Sequence, residues 1–417
     1  MKAKRRLTPS GFLRTITTAV IATAGIAAMS PTQSDSPLSR EQAITYLREH
    51  VSANDIEWLR EATKTLLRDC QIPAADGTIL FTPDSSGHYR ALWTRDFQYM
   101  VAYASDLIEP DLIRRAIEFL LRGQRADGCM PDRVDGAEKP IYAPGPEGQP
   151  LADHALDNGP FMAKLVAEYV HISGDADFFR QHEPAFRKGL DFVRRAENGL
   201  VFNEPTNPQC PYGFTDTVAK TGHLLFTSLL YYDACLSMHD LALQTSCGQP
   251  DVYKQRADLV RKNLNILWDE SSGMFFAADR DCKQIDIWGS ALAVDLEVVS
   301  PTQRDRIIHY LASHASDIFK RGQVRHLPAP ENWSRLLAPV RPGTYQNGAY
   351  WATPHAWVLP ALARRQPALA AKLLNETIAD FRADGINECI NDRYKNVPGY
   401  VASATNTYAI FSSSPRN

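Results

Sequence analysis

Residues Pro160 to Arg195 read PFMAKLVAEYVHISGDADFFRQHEPAFRKGLDFVRR and decide the fold. Apolar side chains recur at helical spacing over Pro160–Ile172 and again over Ala176–Arg195, with the short connection SGDAD between the two runs. Two amphipathic helices joined by so short a connection form an antiparallel helical hairpin. We therefore predict a helical hairpin as the unit of this fold.

The same periodicity recurs along the rest of the chain, and no alternating strand pattern holds for more than a few residues. The spacing predicts about a dozen helices in all. The further segments are Ser39–Asp69, Phe97–Leu107, Pro110–Arg122, Thr217–Leu243, Asp251–Trp268, Trp288–Leu296, Pro301–Ile318, Tyr350–Leu362, Pro367–Arg382 and Ala402–Phe411.

The connections between these segments alternate between short turns and long loops rich in Gly, Pro, Asn and aromatic residues. Long loops inside a compact domain are usually functional. We predict an all-α, (α/α)6 barrel with its long loops on one active face, forming a single domain over residues 31–417. An irregular α-bundle or an α-solenoid is the alternative. The long loops are Asp76–Trp93, Ala126–Asp153, Asn198–Phe214, Gly322–Tyr345 and Asp384–Tyr400.

The composition is that of an ordinary folded protein, with 44% hydrophobic and 22% charged residues in 417. The formal net charge of -3 argues against a nucleic-acid partner, because duplex binders are normally basic. After the first thirty residues no segment is long and apolar enough to span a bilayer. The sequence does not indicate an oligomeric state.

The N-terminus has the order of an export signal, with a basic start followed by the apolar run ITTAVIATAGIAAM from Ile16 to Met29. Ala22-Thr23-Ala24 fits the small-x-small cleavage rule. We predict a signal peptide over residues 1–30 and export to the periplasm or the medium, without stable membrane association after cleavage. An uncleaved membrane anchor is the alternative.

The odd number of cysteines leaves at least one thiol unpaired, and no pair has the spacing of a metal site. We expect buried free thiols with one or two disulfides, and neither a metal nor a cofactor. The chain also lacks the Gly-x-Ser-x-Gly, Walker, His-Glu-x-x-His and dinucleotide motifs. The cysteines are Cys70, Cys129, Cys210, Cys235, Cys247, Cys282 and Cys389.

Two segments far apart in the chain each place one acid among glycines, aromatics and hydroxyls. PYGFTDTVAKTG contains Asp216, and DGINECINDRYKNVPGY contains Glu388. Hydrolysis of a glycosidic bond needs one protonated acid and one carboxylate that activates water from the opposite face of the sugar. We predict Asp216 as general acid and Glu388 as general base, both in loops of the active face.

Further clusters have the residue types that bind sugars, although helix caps, turns and core packing would explain each of them too. In LWTRDFQYM a Trp ring can cover the apolar face of a sugar while a charged pair binds its hydroxyls. Lys220 follows Asp216 by one predicted helical turn, and Asn347-Gly348 precedes an aromatic run. The candidates from these clusters are Trp93, Arg95, Asp96, Asp132, Asp157, Asn158, Lys220, Asn347 and Trp351, with His154 near Asp157.

Four of these segments, in this order, resemble the six-hairpin glycosidases, and most closely the trehalase, processing alpha-glucosidase I and glucoamylase-like branch. LWTRDF is similar to an Arg-Asp-aromatic motif of that branch, and GFTDT to the segment with its catalytic acid. Tyr345, Gly348 and Trp351 match a motif that lines the substrate pocket, and Glu388 falls on the base.

The resemblance implies an inverting, alpha-glucosidase- or trehalase-like hydrolase with a carbohydrate substrate, formed as a bare catalytic barrel. An inverting pair would stand about 6.5–9.5 Å apart. The sequence departs from the pattern at Gln346-Asn347, where relatives often have Trp-Arg, and at Cys389 directly after the base.

Two other functions remain open. An (α/α)6 sugar epimerase, isomerase or polysaccharide lyase would move protons from carbon with histidine or tyrosine, for which His154, His223 and His355 are candidates. A non-catalytic glycan-binding toroid would keep the aromatic pocket without turnover.

Overall fold

The computed structural model describes residues 36–146 and 148–412, and the predicted signal peptide lies outside these residues. From Leu38 onward the described residues form one compact unit. It contains fourteen α-helices: α1 (Arg40–Glu49), α2 (Ala53–Asp69), α3 (Thr94–Ala104), α4 (Pro110–Arg122), α5 (Asn158–Ser173), α6 (Ala176–Phe192), α7 (Leu225–Thr245), α8 (Pro250–Asn263), α9 (Ile287–Asp295), α10 (Pro301–Ser313), α11 (Ala315–Ile318), α12 (His355–Ala363), α13 (Pro367–Asp384) and α14 (Val401–Tyr408).

Six of these helices form a closed inner ring, in which α3, α5, α7, α9, α12 and α14 each pack against the next and α14 returns to α3. The outer helices α2, α4, α6, α8, α10 and α13 each pack on an inner one. Every residue of α3, α9, α12 and α14 is buried, as expected for helices surrounded by protein on all sides. This arrangement is an (α/α)6 barrel and confirms the predicted fold class.

Short antiparallel strands lie only in the connections that lead from an outer helix to the next inner one, within the described residues. The sequence does not predict them, because most are two or three residues long, too short for a period-2 pattern. They are β1 (Gln71–Pro73), β2 (Ile79–Phe81), β3 (Ala91–Trp93), β4 (Arg133–Asp135), β5 (Pro140–Ile141), β6 (Phe202–Asn203), β7 (Gly222–His223), β8 (Trp268–Asp269), β9 (Met274–Phe275), β10 (Phe319–Lys320), β11 (Gln323–Val324), β12 (Asn387–Asn391) and β13 (Tyr394–Pro398).

The strands pair as β1-β2, β3-β4-β5, β6-β7, β8-β9, β10-β11 and β12-β13. The return connections from inner to outer helices are short, as between α5 and α6, where only Gly174 and Asp175 intervene. All six inner helices therefore begin at the same face of the barrel, and the long, strand-bearing connections gather there. This is the face on which the predicted site must lie.

Local signals account for the helices that the sequence predicts best. In α4, Pro110 occupies the first turn, where its missing N–H costs nothing, and Gly123 caps the end. Ser300 and Gln303 form a reciprocal capping box at the start of α10. Gly174 ends α5 in the left-handed conformation at φ 71°.

Two predicted helical stretches are wrong at their N-terminal ends. Residues 217–224 are not helical, because their backbone groups pair elsewhere: Ala219 N–H donates to Arg335 O, and Leu337 N–H donates to Thr217 O. Likewise Tyr350 exchanges backbone hydrogen bonds with Ile390, so α12 begins only at His355. Long-range pairing overrides helical periodicity in both places.

All seven cysteines are free, and six of them are buried. The expected free thiols are confirmed, and the one or two expected disulfides are wrong, because no cysteine is bonded to another and all except Cys247 are enclosed in the protein interior. In the described part of the chain, no helix combines the length and the hydropathy that crossing a membrane would need.

Candidate active site

A small cavity opens where the inner helices begin, and three carboxyl groups line it together with aromatic rings. Its volume is about 30 Å³, room for roughly two water molecules. The lining residues are Pro83, Tyr89, Trp93, Arg95, Asp96, Gly213, Phe214, Asp216, Tyr345, Glu388 and Tyr400.

Arg95 is the cation of this site, and two acids behind the cavity hold its guanidinium. Its Nη2 donates to Asp132 Oδ1 at 2.5 Å, and its Nε donates to Asp157 Oδ2 at 3.1 Å. Both carboxylates are fully buried, and Arg95 is 2% exposed. A buried charge needs such partners, because it loses its hydration. Asp132 and Asp157 therefore fix Arg95 and do not reach the cavity themselves.

The same clamp positions the segment that contains Asp216. Asp157 Oδ2 also accepts a hydrogen bond from Gly213 N–H at 2.8 Å. Gly213 begins a 3-10 turn, Gly213–Thr215, and Asp216 follows it directly. The helix predicted from Thr217 does not begin there, and α7 begins only at Leu225. The acid thus projects from a turn held by side chains from other parts of the chain.

Gly213 leaves no room for a side chain, because an added Cβ would lie 1.8 Å from Cδ of Arg95. Arg95 cannot move aside while Asp132 and Asp157 hold it. We expect Gly213→Ala to lower the free energy of unfolding by about 3 kcal/mol, as measured by urea denaturation. The control is Gly136→Ala, where a Cβ would meet nothing closer than 3.9 Å. Equal stability of the two variants would contradict this packing.

Glu388 lies on β12 of the β12-β13 hairpin, not in an irregular loop as predicted. Its side chain is 2% exposed. Tyr89 Oη donates to Oε1 at 2.9 Å, and Asn396 Nδ2, from β13, donates to Oε2 at 2.5 Å. Both carboxylate oxygens are thereby fixed, one from each side, by neutral donors.

Asp96 lies in the first turn of α3, where Trp93 occupies the cap position. Its Oδ1 accepts a hydrogen bond from Tyr400 Oη at 2.6 Å. The alternative role of Asp96 as helix cap is therefore wrong, and this carboxyl faces the cavity with Trp93 and Arg95 beside it. Tyr345, in the long connection before α12, also lines the cavity. Its backbone has a left-handed φ of 42°, a strained conformation that is typical of functional positions.

Burial raises the pKa of all three cavity acids. The pKa of Asp96 rises to about 6 and that of Asp216 to about 7 because both lose their hydration, although the charge of Arg95 partly opposes this. Burial raises the pKa of Glu388 to about 8, against hydrogen bonds from Tyr89 and Asn396. Such displaced carboxyl groups in one cavity indicate a functional site.

Four other predicted residues lie outside the cavity lining. Asn158 Nδ2 donates to Met130 O, and Asn347 binds its own loop through Val340 O and Trp333 N–H. Lys220 is buried and donates to Thr215 Oγ1, which supports the turn before Asp216. Trp351 is 1% exposed and packs in the core. Their positions are those of supporting residues.

The three candidate histidines do not line the cavity. His154 pairs with Asp153 and His223 with Asp279, while His355 is fully buried between Thr407 and Gly322 O. Among the described residues, no three His, Cys, Asp or Glu side chains lie close enough together to hold a metal ion.

The sequence analysis missed two hydrogen-bond donors to Glu388. Tyr89 follows a turn in which Asp84 accepts hydrogen bonds from the N–H groups of His88 and Tyr89. An Asp shortly before Ser-Ser-Gly is a sequence signal for such a turn, but nothing in it indicates Glu388 as the partner. Asn396 pairs with Cys389 across the hairpin, which the sequence did not predict.

A larger cavity of about 600 Å³ lies at the other end of the barrel, among the C-terminal parts of α5 and α7 and the end of α9. Two ion pairs lie in its lining, Arg40 with Asp295 at 2.7 Å and Lys164 with Asp233 at 2.5 Å, and the charges in each pair neutralise each other. Size alone does not make it the active site. The convergent acids with raised pKa values lie in the small cavity.

No family model and no curated protein sequence matches the chain. Solved structures do share its fold. A GH63 mannosylglycerate hydrolase from Thermus thermophilus, solved with Tris and D-glycerate, gives a TM-score of 0.62 at 15% identity, over 85% of this chain and 100% of its own. A rhamnosidase from Klebsiella oxytoca with rhamnose bound gives 0.58 at 18%, over 87% and 64%. A wild-type glycosidase gives 0.62 at 15%, over 86% and 97%.

Proposed function

We propose that this protein is a glycoside hydrolase in which Asp216 protonates the leaving oxygen and Glu388 activates water. One observation carries the proposal: two buried carboxyl groups from distant segments meet at a single cavity lined by aromatic rings. Aromatic faces can pack against the C–H surface of a sugar, and a pair of carboxyl groups can hydrolyse its glycosidic bond. The solved structures of the same fold, which are named as glycosidases, add support by analogy.

The roles of the two acids rest on their surroundings. Glu388 accepts two hydrogen bonds from fixed neutral donors, which stabilise the ionised form that a base needs. The higher pKa of Glu388 points the other way, since it favours the protonated form there. The two carboxyl groups interact, so their pKa values belong to the pair, and the active form is the one with Asp216 protonated and Glu388 ionised between its two donors.

The proposed stereochemistry is inversion, as the resemblance to the six-hairpin glycosidases implies. Water would then attack from the face opposite the leaving group, and the first product would have the anomeric configuration opposite to that of the substrate. Proton NMR during the first minutes of turnover distinguishes the two anomers before they equilibrate. A product with the configuration of the substrate would indicate a retaining enzyme.

The proposed substrate is a carbohydrate in an alpha-glucosidase- or trehalase-like reaction. The neighbours suggest two further sugars, because one is named for mannosylglycerate and another was solved with rhamnose. We would incubate residues 31–417 with trehalose, mannosylglycerate and the 4-nitrophenyl α-glycosides of glucose, mannose and rhamnose. Release of sugar from at least one is the expected result. It should be lost in Glu388→Gln on every substrate, and in Asp216→Asn on the sugars without a nitrophenyl leaving group. Binding without turnover would favour the non-catalytic toroid.

The activity should be greatest near neutral pH. Well below pH 7 both acids are protonated and no base is available, whereas well above pH 8 both are ionised and no acid is available. We therefore expect a bell-shaped profile of kcat/KM with its maximum between about 7 and about 8. A maximum near pH 4, where ordinary carboxyl groups titrate, would contradict the raised pKa values.

An epimerase or lyase remains the second candidate because three tyrosines, Tyr89, Tyr345 and Tyr400, line the cavity and could move a proton from carbon. Such an enzyme would exchange a sugar C–H for deuterium in heavy water or form an unsaturated product. A hydrolase would do neither. Mass spectrometry of the product therefore separates the two.

We also propose export, with removal of residues 1–30. The support is the order of a basic start, an apolar run and a small-x-small site in the sequence. N-terminal sequencing of the protein from the periplasm or the medium should find a start after the leader. An intact leader in the membrane fraction would favour the uncleaved anchor.

A further inference from the structure

Gln346 departs from the six-hairpin glycosidase pattern, and its side chain binds the turn that contains Asp216. Its Oε1 accepts hydrogen bonds from Thr217 N–H at 2.9 Å and from Thr217 Oγ1 at 2.7 Å. Its Nε2 donates to Gly213 O at 2.9 Å. One amide therefore joins the residue after Asp216 to the first residue of the turn. Gln346 is 1% exposed, so water does not compete for these bonds.

Lys220 and His326 bind the middle of the turn, at Thr215 and Phe214, and Gln346 binds the backbone on both sides of Asp216. A 3-10 turn of three residues leaves most of its backbone groups without partners inside the turn. Gly213 N–H binds Asp157 on one side, and Gln346 satisfies Gly213 O and Thr217 N–H on the other. Loss of the amide would leave these buried groups unpaired and free to shift. The carboxyl of Asp216 would move with them.

The amide also affects the protonation of Asp216. Burial raises the pKa of Asp216, and the polar amide of Gln346 is among the groups that oppose this shift, after the charge of Arg95. Gln346 thus affects both where the acid stands and how readily it gives up its proton. Its backbone is in turn fixed, because Trp333 Nε1 donates to Gln346 O at 2.9 Å.

We propose that Gln346 is a positioning residue for the general acid, holding Asp216 in line with the leaving oxygen. The inference rests on the proposed function, since it assumes that Asp216 donates a proton. It predicts a defect confined to substrates that need this proton. Misplacement of a reacting group by about 1 Å can cost 10²-fold in rate.

Asn347 provides a matched control, since it is the adjacent residue, is also buried and uses both the oxygen and the nitrogen of its amide. Asn347 Oδ1 accepts from Trp333 N–H, and its Nδ2 donates to Val340 O, so its bonds stay within its own loop. Gln346→Met and Asn347→Leu each remove a buried amide from one loop. Urea denaturation checks that both variants fold.

The test compares two glycosides of one sugar, an alkyl glycoside with a poor leaving group and a 2,4-dinitrophenyl glycoside that needs no protonation. For Gln346→Met we expect kcat/KM on the alkyl glycoside to fall by roughly 10- to 10²-fold, with little change on the dinitrophenyl glycoside. Asn347→Leu should affect both substrates alike. Equal losses on both substrates in Gln346→Met would overturn the inference.

A second pair of variants gives a readout that does not depend on the loss of activity. Gln346→Glu keeps an acceptor for Thr217 and adds a negative charge beside Asp216, which raises the pKa of that carboxyl. Because the pKa of Asp216, about 7, lies below that of Glu388, about 8, the acidic limb of the pH profile follows Asp216. That limb should therefore move to higher pH, and by more than in Asn347→Asp. An equal shift of this limb in the two variants would overturn the inference.

Asp216→Asn separates failure of this inference from failure of the proposed function. If that variant loses activity on both glycosides alike, Asp216 is not the acid, and the proposed function and the inference fall together. If Asp216→Asn spares the dinitrophenyl glycoside but Gln346→Met does not, only the inference falls.

Discussion

Glu388→Gln is expected to lower turnover by at least roughly 10²-fold, the contribution of one proton-transfer group. The amide keeps the shape of the side chain and can still bond to Tyr89 and Asn396, so sugar binding should persist. It cannot take a proton from water. Single-turnover kinetics and a binding isotherm, measured on the same preparation, would separate the two effects.

Azide should partly restore the rate of Glu388→Gln, because a small external nucleophile replaces the activated water. The matched control is Glu183→Gln on the outer helix α6, where a buried Glu likewise accepts a hydrogen bond from a tyrosine, Tyr253, at 2.9 Å. That variant should turn over substrate at the wild-type rate, and azide should not change this rate. A wild-type rate in Glu388→Gln would show that Glu388 is not the base. Asp96, the remaining acid of the cavity, would then be the next candidate for that role.

Asp216→Asn should lose at least roughly 10²-fold on substrates with poor leaving groups. Since the amide has no acidic proton, the leaving oxygen would depart as an anion, which is unfavourable for an alkoxide. Activity should recover on dinitrophenyl glycosides, whose phenolate leaves without protonation. The basic limb of the pH profile should disappear with the acid, and the acidic limb should remain.

Asp380→Asn is the control for this variant, because Asp380 is a buried acid on the outer helix α13, bound by Arg321 and Gln323. We expect its activity to show the wild-type dependence on leaving group. Wild-type turnover of an alkyl glycoside by Asp216→Asn would contradict the assignment. Loss of the acidic limb in place of the basic one would reverse the two roles.

The sequence predicted the architecture well because the barrel repeats one simple unit. The helical hairpin of α5 and α6 is visible in the spacing of apolar residues, and α4 has the predicted bounds Pro110–Arg122. Helices of this length carry three or more turns of periodic signal. The strands are too short to carry a periodic signal. Residues 217–224 are not helical, because they form hydrogen bonds to a segment more than a hundred positions away.

The site was predicted in its residue types and less well in its geometry. Six of the twelve predicted residues line the cavity. Each has a charge or an aromatic ring and lies at the start of an inner helix or in a long connection. They are Trp93, Arg95, Asp96, Asp216, Tyr345 and Glu388. Asp132 and Asp157 lie behind them, because an arginine buried in the barrel has to be neutralised. Sequence spacing cannot distinguish an acid that neutralises an arginine from one that meets a substrate.

The closing of the inner ring has a consequence for the order in which the protein acquires its shape during synthesis. Helix α14, the last inner helix, joins α3, the first, and Tyr400 just before it binds Asp96 at the other end of the chain. Most hairpins can form from neighbouring residues as they leave the ribosome, but this contact joins residues 304 positions apart and must close a very long loop. The cavity therefore needs residues at the start of both the first and the last inner helices. We expect a nascent chain that has not yet reached Tyr400 to have most of its helical hairpins without a complete lining of the cavity.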